Sequence, residues 1–569
     1  MKKIVSIMLS VTLLMTVLLA GCGGKTDTSS TDKVVEKPSD KPDTWIADRH
    51  IVLRTFDEDI GLGLPDDQIN NEVAQKIKEL TGITFEIEHT AANSSKEALM
   101  TTLASGDLPD AIYYYLNHSA RPEMGIVLKG AREGLFADVA PYLKETKVYS
   151  KYFEPGFLPT DSFKNIIQRP EFNGATYIVH MRIQRTETAQ DYKMRGGMYI
   201  QKDIADTLGI KGWEIKTQDD LYELLKKIKD GNFKDVNGKT VTPLGPSLWG
   251  GRMRHYANAN FTFASDGSFG IVDGKIVHES ETDLVMKQID FFKKLLNEDL
   301  IHPEFFTMDG TRAEEACRSN SFAIIEDVHN YIDMFEDAEY YPVGPLLDYE
   351  GEDIEYEPGK AGYCAWSIAS TAKRPEEIVK FADFMASKEG KLLWQYGIEG
   401  KHYDMVDGKP MVKQEILDLV ENDPEAAMQL NIYMGGAGSQ WGIPFGNTDN
   451  DFETDFGELI YGSKLDPTKN KIPLSLYNYG REERQRKVVY TEGFSATAYL
   501  NDWENAAELK PILDSYDDLR IKAIYSKSMD EAKKIFDNYR KQLKNAGIEE
   551  FENYLMKLYE EDPKQLKLR

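Results

Sequence analysis

At 569 residues the chain is too long for one hydrophobic core and suits two lobes or domains. Its 95 acidic against 68 basic side chains leave a formal charge of −27, which argues against a nucleic-acid partner, because a phosphate backbone needs a basic surface. Cysteine is scarce and there is no C-x-x-C; a chain this size needs no covalent staple, so Cys317 and Cys364 read as buried thiols, with a disulfide between them in an oxidising space as the alternative.

The N-terminus carries a leader pattern. Lys2 and Lys3 precede an apolar run, Ile4 to Leu19, that is too short for a membrane span. Leu19-Ala20-Gly21-Cys22 then forms a lipobox, in which the cysteine thiol takes a diacylglycerol and becomes the mature N-terminus. Residues 1–21 therefore read as a lipoprotein signal peptide, with Cys22 the lipidation site; an ordinary secretory signal with a chance cysteine is the alternative. Residues 22–45 are Gly, Ser, Thr, Asp, Lys and Pro with almost nothing apolar, and read as a disordered tether.

The folded body begins near residue 46. Ile51 to Phe56 is expected as a strand, Asp66 to Thr81 as a helix with Ile69, Val73, Ile77 and Leu80 on one face, and Ile83 to His89 as a strand by its alternation. Lys96 to Ser105 reads as a helix, and Gly106-Asp107-Leu108-Pro109-Asp110 leads into a short strand with Tyr113, Tyr114 and Tyr115. Such alternation of strand and helix predicts a mostly parallel sheet with covered faces, and ligands sit at the carboxyl ends of its strands. Tyr113 and Tyr115 are cleft candidates on that basis, against ordinary packing as the alternative. Trp213 to Lys229 is a helical region with Leu221, Leu224, Leu225 and Ile228 inward.

Ser247 to Tyr256 (SLWGGRMRHY) is non-periodic and offers Trp249, Arg252 and Tyr256. Pyranose rings stack their C–H faces on aromatic rings, and their hydroxyls pair with planar donors and acceptors. Lys229 to Lys239 holds loop oxygens, but Phe233 and Lys234 intrude and no Glu closes the pattern, so it reads as a plain turn; calcium stays open there as the alternative, and no other cofactor is expected. Gly435 to Phe445, containing Trp441, is a glycine-rich loop. From Ala361 to Tyr403, an apolar run leads to Pro375 at a helix start, with Glu376 and Glu377 at its positive end and Gly390 as a breaker before a second helix. The last hundred residues are mostly helical: Ala532, Ile535, Phe536, Tyr539 and Leu543 make one face, and Phe551, Tyr554, Leu555 and Leu558 the next.

Several of these stretches, in order, resemble the extracellular solute-binding lipoproteins of ABC importers. The nearest subgroup is the large Gram-positive LplA-like lipoproteins of the family 1 carbohydrate-binding type. The matching pieces are Ser105 to Asp110 ("S-G-D-L-P-D"), Phe172 to Tyr177 with Tyr199 to Asp203, Ser321 to Glu326, Ala365 to Ala369, Pro375 to Gly390 and Tyr396 to Tyr403. Val179-His180-Met181 departs from the family's Gly-x-Pro, and Gln184 to Tyr192 is an insertion. The resemblance implies an α/β, two-lobed periplasmic-binding-protein-like fold of type II, with a multi-segment hinge and a helical C-terminal segment. It implies lobe 1 from 46–179 and 366–450, and lobe 2 from 180–365 and 451–569. It places "S-G-D-L-P-D" where residues reach the cleft edge, and puts Glu326 (with His329 and Tyr331) and the crossing-strand Trp366 among ligand-facing residues. Arg182, with Arg185, Arg252 and Arg254, would suit an acidic sugar, or else would pair with the protein's own carboxylates.

No enzyme signature appears: there is no H-E-x-x-H, no Walker loop, no G-x-G-x-x-G opening a helix and no G-x-S-x-G elbow, and the nine histidines lack metal spacing. The expected function is therefore non-enzymatic. A monomer, held on the outer face of a Gram-positive cell membrane by its lipid alone, captures an oligosaccharide and delivers it to ABC permease subunits. The alternatives are an extracellular glycosidase or lyase, and a sensor or adhesin using the same fold.

Overall fold

The computed structural model describes residues 40–56, 64–90, 95–116, 123–158, 162–181, 183, 197–247, 256–263, 268–326, 340–357, 362, 364–432, 443–446, 484, 487–490 and 493–568. Apart from residues 40 and 41, these belong to the unit Pro42–Arg569.

The first lobe opens with strand β1 (Arg49–Phe56), helix α1 (Glu72–Thr81), β2 (Ile83–His89), α2 (Ser95–Ser105), β3 (Ala111–Tyr115), α3 (Glu123–Arg132) and α4 (Ala140–Leu143). Helix α1 starts six residues later than its apolar pattern suggested. Asp67 accepts the amide hydrogens of Ile69 and Asn70, which makes a turn, and Asn71 then caps the helix by accepting from Ala74 N–H at 2.9 Å. Gly82 ends it at φ 78°, where a Cβ would lie 2.3 Å from the Ala47 carbonyl oxygen.

Two further strands complete this sheet, β4 (Val179–Met181) and, much later in the chain, β12 (Cys364–Ile368). The order is β2-β1-β3-β12-β4. β1, β2 and β3 are parallel, while β12 is antiparallel to both β3 and β4. Four of the five strands thus run the same way, as the alternation predicted, and β12 alone runs against them. The sheet is not covered throughout: β1 and β2 alternate buried and half-exposed residues, so their outer face is open, whereas β12 is buried at every position.

The second lobe contains β5 (Met198–Gln201), α5 (Lys202–Leu208), α6 (Gln218–Gly231), β6 (Thr242–Ser247), the hairpin β7 (Phe269–Val272) and β8 (Lys275–His278), α7 (Leu284–Asn297), α8 (Gly310–Arg318), β9 (Phe322–Glu326) and β10 (Tyr340–Val343). Its sheet has the order β10-β5-β9-β6. A Thr217/Asp220 capping box starts α6, and Leu221, Leu224, Leu225 and Ile228 are its buried face, as the spacing required.

Strand β11 (Ile354–Glu357) then precedes the return to the first lobe through β12. The sequence-based lobe boundaries at 179/180 and 365/366 cut through strands of the first sheet. Cys364 pairs with Met181 and Ala365 with His180, so these residues stay in the first lobe. Gly362 lets the two crossing strands approach: a Cβ there would lie 2.0 Å from the Met181 carbonyl oxygen. Gly362→Ala is expected to cost about 1–3 kcal/mol by forcing those backbones apart, read as a lower urea midpoint with an unchanged slope.

Helices α9 (Pro375–Ala386) and α10 (Lys388–Tyr396) follow. The break between them is made by Ser387, which caps α10 by accepting from Gly390 N–H. Gly390 itself lies inside α10, because a Cβ there would sit 2.1 Å from the Phe384 carbonyl oxygen. The turn from Gly397 to Tyr403 is held by His402 Nδ1, which accepts from Ile398 N–H at 2.9 Å, and it leads into the hairpin β13 (Tyr403–Val406) and β14 (Lys409–Val412). Three short helices, α11 (Gln414–Asn422), α12 (Pro424–Met428) and α13 (Ile443–Gly446), close this part.

Strand β15 (Lys487–Tyr490) pairs with β11, and then come α14 (Ala506–Asp514), α15 (Tyr516–Ile524), α16 (Met529–Asn545) and α17 (Ile548–Glu561). Helices α15 and α16 pack on α7, and α17 packs on β8, all in the second lobe; the preceding turn Ala496–Asp502 packs instead on α3 of the first. Glu552 of α17 accepts the His278 backbone N–H at 2.8 Å. Burial pushes its carboxyl up to about 7, the bond to His278 opposes this, and Glu281 and Glu549 push it further up. The folded state therefore favours the protonated form. Its contribution to stability is full below about pH 4.5 and is lost as the pH rises to 7. Glu552→Gln is expected to gain about 1–2 kcal/mol at pH 8 and nothing at pH 4, read by melting at both.

Cys317 in α8 and Cys364 in β12 are both buried, and no disulfide joins them. Burial pushes the Cys317 thiol up to about 12, which makes it inert.

Candidate ligand cleft

Topology links one edge of each sheet to one edge of the other. In the first lobe β1, β2, β3 and β4 end, and β12 begins, on the same edge. In the second lobe β6, β9 and β10 end, and β5 begins, on the same edge. The chain crosses from the end of β4 to the start of β5, and from the end of β10 back to the start of β12. Both crossings therefore join these two edges, at the switch point where α/β sheets take ligands.

Glu326 ends β9 on this edge. It is wholly buried, and its Oε1 accepts the Ala257 N–H at 3.1 Å. Its neighbour Tyr256 opens the turn Tyr256–Phe261 and is 39% exposed, a large ring offered to solvent. Through the Ala257 N–H, the Glu326 carboxylate holds the start of the turn that carries Tyr256. The far end of the same turn is held by Glu279, also wholly buried, which accepts Phe263 N–H at 3.0 Å and the Thr262 hydroxyl. The other oxygen of Glu279 accepts the Tyr516 hydroxyl at 2.9 Å and Arg520 Nη1 at 3.1 Å. Two buried carboxylates thus hold the start of this turn and the residues just after it.

In the first lobe, Tyr115 ends β3 and is half-buried. Tyr113 and Trp366 are corrections. Both are wholly buried and lie in register in the centre of the first sheet. The Trp366 ring stands edge-on to Tyr149 and Phe445, with centroids at 5.8 and 5.4 Å, and its Nε1–H donates to the Tyr149 hydroxyl. Tyr149 in turn donates to the Phe445 carbonyl at 2.8 Å. These rings are core packing, and they anchor the residues that follow Trp441. Arg182, Trp249, Arg252 and Trp441 lie outside the described residues, as do Cys22, Arg185, Arg254, His329 and Tyr331. The structure brings Glu326 and Tyr256 together; Glu279, Tyr516 and Arg520 were not found in the sequence.

"S-G-D-L-P-D" also needs correction. Asp110 lies at the amino end of β3, on the edge opposite the crossings. It accepts Val52 N–H at 3.1 Å and pairs with Arg49 at 2.8 Å, while Arg49 also reaches Glu377 and the Arg374 carbonyl. A groove of about 550 Å³ opens here, lined by Arg49, Arg54, Asp110, Lys373 and Arg374 among others. Arg49 and Arg54 are both ion-paired within it, the latter to Glu88 at 2.8 Å, and no Trp, Tyr or Phe lines it. It is a fastening between β1, β3 and α9, remote from the crossing edge.

The Lys229–Lys239 loop satisfies its own oxygens. Asp235 accepts the amide hydrogens of Asn237 and Lys239 at 2.9 and 2.8 Å and the Ser321 hydroxyl at 3.1 Å. The Lys234 ammonium bonds Asn232 Oδ1 at 2.9 Å and Thr240 Oγ1 at 2.8 Å. Among the described residues, carboxylates close enough to share a cation are those of Asp348, Glu350 and Glu352, with oxygens within 4.8 Å of one another. Asp348 Oδ1 already accepts the amide hydrogens of the other two.

Residues 65–392 match the model of the bacterial extracellular solute-binding proteins. The chain is 26% identical over 348 residues to lipoprotein LipO of Bacillus subtilis (strain 168), covering 58% of this chain and 64% of LipO, just under two thirds of that relative's length. It is 22% identical over 414 residues to the polygalacturonan/rhamnogalacturonan-binding protein YtcQ of the same organism, covering 70% of this chain and 74% of YtcQ. Its fold is similar to that of the alginate-binding protein AlgQ2 solved without calcium ion, with a TM-score of 0.57, 19% identity, and coverage of 91% of this chain and 100% of AlgQ2. With more than half of its length matched by the family model, the chain belongs to the bacterial extracellular solute-binding proteins.

Proposed function

We propose that this protein captures an oligosaccharide between its two lobes and hands it intact to the permease of an ABC importer. The observation that carries this reading is topological: both crossings join the carboxyl edges of the two sheets, so a ligand held there would be enclosed when the lobes close. Tyr256, exposed at the start of a turn held by Glu326, supplies a stacking face of the kind sugars use. The names of YtcQ and AlgQ2 both concern uronate polymers, which supports a saccharide ligand and makes acidic sugars the first to try. Cys22 carries the lipid that holds the monomer at the outer face of the membrane, in keeping with the lipoprotein relative. No catalytic step belongs to this reading.

The test is thermal melting of the purified protein against oligogalacturonides, alginate oligosaccharides, neutral oligosaccharides and short peptides. A ligand that binds only the folded state raises the midpoint by mass action, about 2.7 kcal/mol at a hundredfold excess over Kd. The expected result is a shift with one saccharide class, with that saccharide recovered unchanged. A cleaved product would replace the reading with a carbohydrate-active enzyme; no shift with any saccharide would end it.

A further inference from the structure

The turn that carries Tyr256 is bonded to one of the two crossings between the lobes. This return crossing leaves β10 at Val343 and reaches β12 at Cys364. Its first residues stay on the second lobe, where Gly344 N–H donates to the Gly212 carbonyl at 3.0 Å and Leu347 N–H to the Lys216 carbonyl at 2.8 Å. At Leu347 and Asp348 it meets the Tyr256 turn. The Asn260 side-chain amide donates to both of their carbonyls, to that of Asp348 at 3.0 Å. Phe263, just past the turn, stands edge-on to the Tyr349 ring, with centroids at 5.0 Å. Beyond this meeting point Asp348 closes a tight turn by accepting the amide hydrogens of Glu350 and Glu352. Asp353 is then held by Arg484 through two bonds of 2.7 Å, and β11 pairs with β15. The Tyr256 turn already has its own anchors in the second lobe, Glu326 at its start and Glu279 just after it. Its bonds to the crossing are additional to these.

We propose that Asn260 is a positioning residue of the ligand cleft: it ties the Tyr256 turn to the return crossing, so that a saccharide stacked on Tyr256 also orders the segment about which the lobes move. The inference rests on the reading above that a saccharide binds at this edge and that the lobes close on it. The tie has one replaceable half. Its acceptors are backbone carbonyls, which every residue supplies, and its donors are the two hydrogens of a single side-chain amide. Asn260 acts through the turn and the crossing, not on the sugar. A turn that loses motion when a ligand stacks on it passes that loss to whatever is bonded to it, and a segment so ordered costs less to fix on closing. Removing a side-chain to backbone hydrogen bond shifts a local opening equilibrium by about three- to tenfold.

Hydrogen exchange of the purified protein, resolved by peptide mass spectrometry, tests this. Without ligand, Asn260→Ala should speed exchange across residues 344–357 by about three- to tenfold and leave β6 and β9 as they are in the parent. Asn260→Asp keeps the shape of the side chain but loses both donors, and should do the same. With trigalacturonate added, exchange in the parent should slow at 256–263 and at 344–357 together. In Asn260→Ala the slowing should be confined to 256–263. Equal exchange across 344–357 in the parent and both variants without ligand would overturn the proposal. So would glycan protection that the variant weakens alike in both segments, because Asn260 would then only help to fold the turn. No protection in the parent, with the differences between the unliganded proteins as stated, would leave the tie standing and remove acidic sugars from the reading above.

Discussion

Arg520→Ala is expected to lower the folding free energy by about 3–5 kcal/mol. The guanidinium is buried, as is its partner Glu279, and the tyrosine hydroxyl between the helices shares the same carboxylate. Removing the arginine strands a charge in an apolar interior, and this costs far more than the pair contributes when intact. Glu279→Ala should cost as much, for it also releases Phe263 N–H and the Thr262 hydroxyl. The two losses overlap, so the double variant should be less damaged than the sum of the singles. Urea unfolding of the three variants checks this; a cost under 1 kcal/mol for Arg520→Ala would show that the pair is not what binds the helices to the second lobe. The ligand should feel it too. Glu279 holds the residues just after the turn that presents Tyr256, so Glu279→Gln should weaken saccharide binding more than it lowers the midpoint.

Acid should destabilise the protein well before its carboxylates titrate, through His278. This ring is buried between Phe269 and Tyr516, with centroids at 5.0 and 4.7 Å. Burial first, and then the charge of Arg520, pull its pKa down to about 3, against a small opposing pull from Asp517. The folded state keeps the ring neutral while the unfolded chain takes up a proton below about 6.5, so stability is full above that pH and falls on acidification. By pH 5 the loss should be about 2 kcal/mol. Glu552 works in the opposite sense, losing its contribution between pH 4.5 and 7. The stability maximum should therefore lie near pH 6, where neither cost is fully developed. His278→Asn keeps an acceptor for Ser280 but cannot titrate. It should flatten the acid limb between pH 6.5 and 4, whatever it does to stability at pH 7; an unaltered acid limb would assign the loss to other groups.

What could be read from the sequence followed the range of the interactions. Leu221 to Ile228, and Ala532 to Leu543, declare a helix and its inward face through spacing alone. Crossing strands and the two-lobed order were legible because the resembling stretches recur in order. Exposure inside a sheet was not legible. Tyr113 and Trp366 sit on strands buried on both faces, where alternation carries no sign of which ring meets the cleft. Asp110 ends a suggestive motif, yet whether it lies at the amino or the carboxyl edge depends on the direction of β3 within a finished sheet. The clamp on the Tyr256 turn was out of reach altogether, since Glu279 and Arg520 are 241 residues apart and neither has a local signature.

The two buried thiols have a use that no substitution need create. Cys364 lies in the central sheet of the first lobe and Cys317 in a helix of the second, so each half of the molecule carries its own silent reporter. A thiol reagent can reach either one only when its lobe opens, and the rate of modification then measures the local opening free energy. Peptide mapping separates the two signals. Equal protection would mean that the lobes melt as one cooperative body; unequal protection would reveal which lobe is the template on which the other is completed after export.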